Sequence, residues 1–287
     1  MKLKYKETPP QCGGSAVPGC GTIHVSEIKP TLKKLTNLLE FDTNLNDLVT
    51  GSTGKREYSG DIDLVINDQK YASLGAKAFH CILADKFGRE FVARNGDMVH
   101  LKFPISKFNA ELNEVLPRTG FVQIDFNLGD IGWEKFYHYS DGEESEYKGA
   151  HRNLSIAAIC AVIDVETSQI VDFYDRPINQ IRWKWGPKGL IRVNRHSIQM
   201  DGEWHRKQID TVVKGPVMDP DAISKILFPV DGLESDLRSL ETVMAAVKRN
   251  YGLVDQERIW QRMAGNFMDW SMGKYFIYPP EIIKYLP

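Results

Sequence analysis

The chain has 287 residues, enough for one large domain or two small ones, and its composition is that of a folded globular protein, with 42% hydrophobic and 26% charged residues. A net charge of -2 excludes a polycation, so any contact with nucleic acid must come from a local patch. There is no apolar run of membrane-spanning length and no signal-peptide-like start, which leads us to expect a cytoplasmic protein with no membrane partner.

Residues 1–22 are rich in Pro, Gly and Cys and read as an arm. The four cysteines, Cys12, Cys20, Cys81 and Cys160, are sparse and scattered, as reduced thiols are. Cys12, Cys20 and His24 fall short of a structural zinc set, which wants four ligands and usually a C-x-x-C pair. "SEIKPTLKKLTNLLEF" predicts a helix with Leu32, Leu35, Leu38 and Leu39 on one face and Pro30 in its first turn. "DIDLVI" (61–66) predicts a strand, "QKYASLGAKAFHCILADKF" (69–87) a helix, "EFVARNGDMVHLKF" (90–103) a hairpin turning at Asn95-Gly96, and "GFVQIDFNL" (120–128) another strand. That order describes an α/β (α+β) core, a small mixed sheet with helices on one face, over residues 1–140.

"YSDGEESEYKGAHRN" (139–153) reads as a polar connection, within which His151, Arg152 and Asn153 are set either to reach nucleotide or to cap the surface. The pattern of 154–175 leaves helix and strand open. Between Arg176 and Lys207 there are eight Lys/Arg against two acids, with Trp183, Trp185 and Trp204 interleaved. Arg182, Trp183, Lys184, Trp185, Arg192 and Arg195 can be read as a surface on which RNA stacks and pairs its phosphates, or as a solvated face anchored by core tryptophans. Nothing separates His196 and His205 from surface histidines. Beyond Pro220 the pattern is helical, so residues 141–287 are expected to hold a β-hairpin and a helix-rich, acceptor-binding region.

The chemistry concentrates in "TGSTGKREYSGDIDLVIND" (50–68). Asp61 and Asp63 are two apart on a strand, so they share a face and repel each other unless a cation lies between them. Oxygen ligands with room for phosphate oxygens suit Mg²⁺. Asp125, flanked by Ile124 and Phe126, is costly to bury without a partner and supplies a third acid. "GSTG" offers backbone N–H groups to a triphosphate, with Lys55 and Arg56 adding charge. It is not a Walker loop, since Val49 and Arg56 occupy the required Gly and Ser/Thr positions, and "GCGTIH" fails the dinucleotide pattern at its last residue.

Gly51-Ser52, then Asp61-Ile-Asp63-Leu, with a later strand acid at Asp125, resembles the signature of the DNA polymerase β-like nucleotidyltransferase superfamily, over roughly residues 30 to 130. The spacing from Ser52 to Asp61 is one residue shorter than the usual pattern, and the chain is also similar to nucleotidyltransferases encoded by bacteriophages. The resemblance implies transfer of a nucleoside monophosphate from an NTP to a hydroxyl. Two Mg²⁺, or Mn²⁺ in their place, would be held by Asp61, Asp63 and Asp125, and the phosphates by Gly51, Ser52, Lys55 and Arg56. The basic stretch suggests an RNA acceptor, a tRNA end among them. The rivals are a small-molecule or protein acceptor, and a nucleotide-binding regulatory or toxin-like module without turnover. A template-directed polymerase is disfavoured, because no helix-hairpin-helix-like motif is present to grip duplex.

Overall fold

His24 opens the first helix. Its ring Nδ1 accepts the Ser26 N–H and its own N–H donates to Glu27, a reciprocal cap that uses two of the helix's orphan donors. The computed structural model describes residues 16–66, 74–139, 145, 147, 149–167, 169, 179–200, 203–271 and 278–286, with the side chains of 197–200, 203–208 and 271 left out. The chain is a mixed α and β protein that divides into two compact units, Met1–Glu143 and Glu144–Pro287.

In the first unit a short strand β1 (Ile23–His24) leads into helix α1 (Val25–Leu39) and pairs with β2 (Tyr58–Ser59). Strand β3 (Asp61–Ile66) is followed by α2 (Gly75–Phe87), β4 (Val92–Asn95), β5 (Met98–Asn109), β6 (Glu114–Leu128) and α3 (Ile131–Tyr137). The sheet runs β3-β6-β5-β4, parallel between β3 and β6 and antiparallel elsewhere.

Alternation gives this sheet two unlike faces. Ile62, Leu64 and Ile66 of β3, Val122, Ile124 and Phe126 of β6, and Val99, Leu101 and Phe103 of β5 form one core with Ile28, Leu32, Leu35 and Leu39 of α1 and Phe79 and Leu83 of α2. Phe79 meets Phe126 edge to face at 5.2 Å. Each such side chain, buried, contributes roughly 1.5–3 kcal/mol. The other face carries Asp61, Asp63, Gln123, Asp125, Asn127 and His100.

Three expectations need correcting. Leu38 is 39% exposed, because the buried stripe runs 28, 32, 35, 39 and Leu38 sits about 100° away from it. Pro30 lies in the second turn of α1, since the helix begins at Val25, and the helix continues through it without the N–H that would reach the exposed Ser26. The strands expected to end at residue 103 and to begin at residue 120 are longer, Met98–Asn109 and Glu114–Leu128, and form a second hairpin, β5 to β6, in which a register shift between Pro104 and Ser106 accommodates Pro104 and Pro117.

The second unit has helix α4 (Gly149–Cys160), an antiparallel sheet of order β10-β9-β8-β7, and further helices. The strands are β7 (Glu166–Thr167), β8 (Asn179–Gly186), β9 (Gly189–Met200) and β10 (Glu203–Val217). The helices are α5 (Pro220–Leu227), α6 (Leu240–Asn250), α7 (Leu253–Ser271) and the short α8 (Pro280–Ile283). Helix α4 packs on β8, α6 and α7. Among the described residues no helix is long and apolar enough to cross a membrane.

Candidate functional site

The glycine-rich turn is pinned along the outer edge of β3. The Thr50 N–H donates to the Asp63 carbonyl at 3.0 Å, the Asp63 N–H donates to Thr53 Oγ1 at 2.9 Å, and Val49 bridges Leu64 in antiparallel fashion. Gly51 has φ +66° and a Cβ there would stand 2.4 Å from Asp63 Oδ2, so only glycine fits against this carboxylate. The Gly54 N–H donates to Ser59 Oγ at 2.9 Å and holds the far side of the turn. Ser52, Lys55 and Arg56 are exposed, with the Lys55 ammonium 4.6 Å from the Tyr139 ring centre. A recess of about 200 Å³ lies here, lined in part by Gly51, Thr53, Lys55, Lys135 and Tyr139.

Register assembles the acids. Asp63 is the direct partner of Asp125 across β3 and β6, and Asp125 is the direct partner of His100 across β6 and β5, so the three side chains lie in one row on the polar face. Asp61 lies in the next row, opposite Gln123. The Asp63 carboxyl is raised well above the ordinary carboxylate range, first by its burial and then by the like charges of Asp61 and Asp125. A divalent cation relieves that combination, and the chemistry of the donor set, oxygen only, fits Mg²⁺. Among the described residues no three His, Cys, Asp or Glu side chains already form a ready ligand set, so the carboxylates share a face and a mutual repulsion without a finished coordination sphere.

Asp125 has the partners that its apolar neighbours demand. Its Oδ1 meets His100 Nδ1 at 2.8 Å and accepts from Gln123 Nε2 at 2.8 Å. Gln123 Oε1 in turn accepts the N–H groups of Ala16 (2.9 Å) and Val17 (3.1 Å), and Lys102 donates to the Pro18 carbonyl. The arm from Ala16 to Gly21 thus lies along the polar face and brings Cys20 near Asp125, where burial pushes the thiol up and Lys102 lowers it. Cys12, the other cysteine of the arm, lies outside the described residues. The pattern "HLK" and "VQIDFN", polar at every second residue, carried the signal for His100 and Gln123; Lys135 and Tyr139 had none.

The basic stretch divides between two faces of its sheet. Trp183 and Trp185 are buried, their Nε1–H groups donating to Asp164 (3.1 Å) and Asn153 (3.2 Å). Arg192, directly opposite Trp183, pairs with Asp164 and Glu166. Arg182, Lys184 and Arg195 point the other way, and Asp210 pairs with Lys184 at 3.0 Å and with Arg195 at 2.7 Å. The Asp210 carboxyl is held far below its usual range, first by the Arg195 hydrogen bonds and then, against its own burial, by Lys184. The tryptophans are therefore core anchors, and no stack of bases can form on them without unpacking the sheet. We expect Trp185→Phe to cost about 1–2 kcal/mol through the lost bond to Asn153 and to lower the melting temperature; an unchanged melting temperature would show that the indole is not a core anchor. Arg176 and the side chains of Trp204, His205, Arg206 and Lys207 lie outside the described residues. His151 and Arg152 are buried in α4, inside the second unit.

No family model, curated protein or solved structure matches the chain.

Proposed function

We propose that the first unit is a Mg²⁺-dependent nucleotidyltransferase that moves a nucleoside monophosphate from an NTP to a hydroxyl. The observation that carries this is the juxtaposition of three carboxylates, Asp61, Asp63 and Asp125, on one polar sheet face with a turn whose Gly51 is pressed against Asp63. Asp61, Asp63 and Asp125 would hold the ions, Mg²⁺ or Mn²⁺. When bound, these neutralise phosphate charge and ease ionisation of the attacking hydroxyl. The N–H groups of Gly51 and Ser52, with Lys55, Arg56 and the added Lys135, hold the triphosphate. The acceptor oxygen attacks the α-phosphorus, the bond from that phosphorus to the bridging oxygen breaks and pyrophosphate leaves, while the hydroxyl proton passes to solvent, a loss that Asp125 as a ligand would favour.

For the acceptor two classes remain, and each has its own support. RNA is favoured by one sheet face on which three cations, Arg182, Lys184 and Arg195, outnumber the single acid Asp210 that pairs with Lys184 and Arg195. A small-molecule or protein hydroxyl is favoured by the burial of Trp183 and Trp185 and the ion pairs of Arg192, which withdraw half of the RNA surface expected from the sequence. Salt separates them. Transfer to RNA held by three phosphate contacts should fall with a log-log salt slope of about -2 (roughly -0.7 per contact on single strands), whereas transfer to a small molecule should be nearly flat.

The deciding experiment incubates the full chain with each α-³²P-labelled NTP, Mg²⁺ and total RNA, with the Asp61→Ala/Asp63→Ala double variant as control. Label in RNA that depends on the acids establishes reaction and acceptor together. Absence of NTP binding and of label in RNA, protein and small-molecule acceptors alike would overturn the proposal; binding without turnover would leave the regulatory module.

A further inference from the structure

A carboxylate that serves a metal must present the right oxygen, and at Asp125 the choice is made by its neighbours. Ionised, as a ligand must be, Asp125 is acceptor-only, so both groups on its Oδ1 have to donate. For Gln123 the orientation is fixed independently: its Oε1 accepts from Ala16 and Val17, which leaves Nε2 as the end turned to Asp125. For His100 the same logic puts the proton on Nδ1. Both donors thus converge on Oδ1, and no described residue hydrogen-bonds Oδ2.

His100 has no other polar use. It is 5% exposed, and its Nε2 is buried without a hydrogen-bond partner among the described residues. Burying an imidazole for packing alone is a poor choice, because a leucine would fill the space with no nitrogen to desolvate. The one return for that cost is the bond to Asp125.

We propose that His100 and Gln123 are positioning residues that clamp Oδ1 of Asp125 and so dedicate its Oδ2 to the divalent ion, with the Ala16–Val17 arm locking the Gln123 half of the clamp. This rests on the nucleotidyltransferase reading and adds to it residues that touch neither nucleotide nor acceptor. Removing a donor behind a metal ligand characteristically weakens metal binding about 10- to 100-fold.

The test is a Mn²⁺ titration of the full chain by electron paramagnetic resonance, without NTP, on the native protein, Asp61→Ala/Asp63→Ala, His100→Leu and His100→Asn. The Asn amide nitrogen lies as many bonds from Cβ as His Nδ1 does, so it can keep the donor. His100→Leu should weaken Mn²⁺ binding about 10- to 100-fold with a melting temperature near native, and His100→Asn should restore most of the loss. His100→Leu binding Mn²⁺ like the native protein overturns the inference, and so does His100→Asn as weak as His100→Leu. If His100→Leu does not fold, Gln123→Met removes the other donor at equal chain length, and undiminished Mn²⁺ binding there overturns the inference equally. Native protein that binds no Mn²⁺, or binds it independently of Asp61 and Asp63, sinks the nucleotidyltransferase reading itself; acid-dependent binding indifferent to His100 and Gln123 sinks the clamp alone.

Discussion

Under the proposed two-metal chemistry, alanine at Asp61 or at Asp63 is expected to reduce nucleotidyl transfer by about three powers of ten, because each would remove a ligand from an ion that would supply several kcal/mol to the transition state, and each 1.4 kcal/mol is a factor of ten. The fold should survive. Both side chains project from the polar face, while the apolar face that holds β3 to β6, α1 and α2 is formed by Ile62, Leu64 and Ile66. Initial rates of pyrophosphate release, measured beside a thermal melt, check both halves. A tenth of the native rate remaining in both variants would remove the two-metal reading, and a collapse of the melt would show that the pair is structural. Asp125→Ala is a less clean probe, since it also strips His100 and Gln123 of their acceptor.

The acids were legible because a strand has a period of two. Asp61 and Asp63 must share a face, and an aspartate between Ile124 and Phe126 must find a partner. The partner itself was not legible. His100 meets Asp125 through the pairing of β5 with β6, and register across a long hairpin is set by the turn near residue 112 and a shift at Pro104, neither of which spacing in the sequence reports. Gln123 was within reach, being two residues from Asp125, but the arm that orients it arrives from more than a hundred residues away.

For the basic stretch two readings were open, a stacking surface for RNA and a face anchored by core tryptophans, and the same period of two, which assigns Trp183 and Trp185 to one face and Arg182 and Lys184 to the other, goes with the second. In α4 the acidic, polar run before residue 149 concealed a helix start, and with it the burial of His151 and Arg152. Local alternation was sufficient for the faces, then, and only tertiary pairing could supply what each face meets.

The acids also make stability depend on pH in a direction opposite to that of an ordinary salt-bridged carboxylate. Asp63 has its folded pKa raised, first by burial and then by Asp61 and Asp125. As pH climbs past about 3.9, the unfolded chain ionises this group first, so the native state holds the extra proton and each further rise in pH favours unfolding until the raised pKa is passed. In metal-free buffer this contribution therefore lowers stability from the ordinary carboxylate range upward and levels off above the folded pKa. Asp63→Asn replaces the carboxyl with a neutral group of nearly the same shape. Relative to native, its melting temperature should be equal near pH 4, several degrees higher at neutral pH without metal, and unmoved by Mn²⁺, which should restore the native protein alone. Thermal scans of both proteins with and without Mn²⁺ across that range decide it. A variant less stable than native at neutral pH in metal-free buffer would mean that the ionised Asp63 is satisfied by the fold itself, and the repulsion that argues for a cation between these strands would be gone.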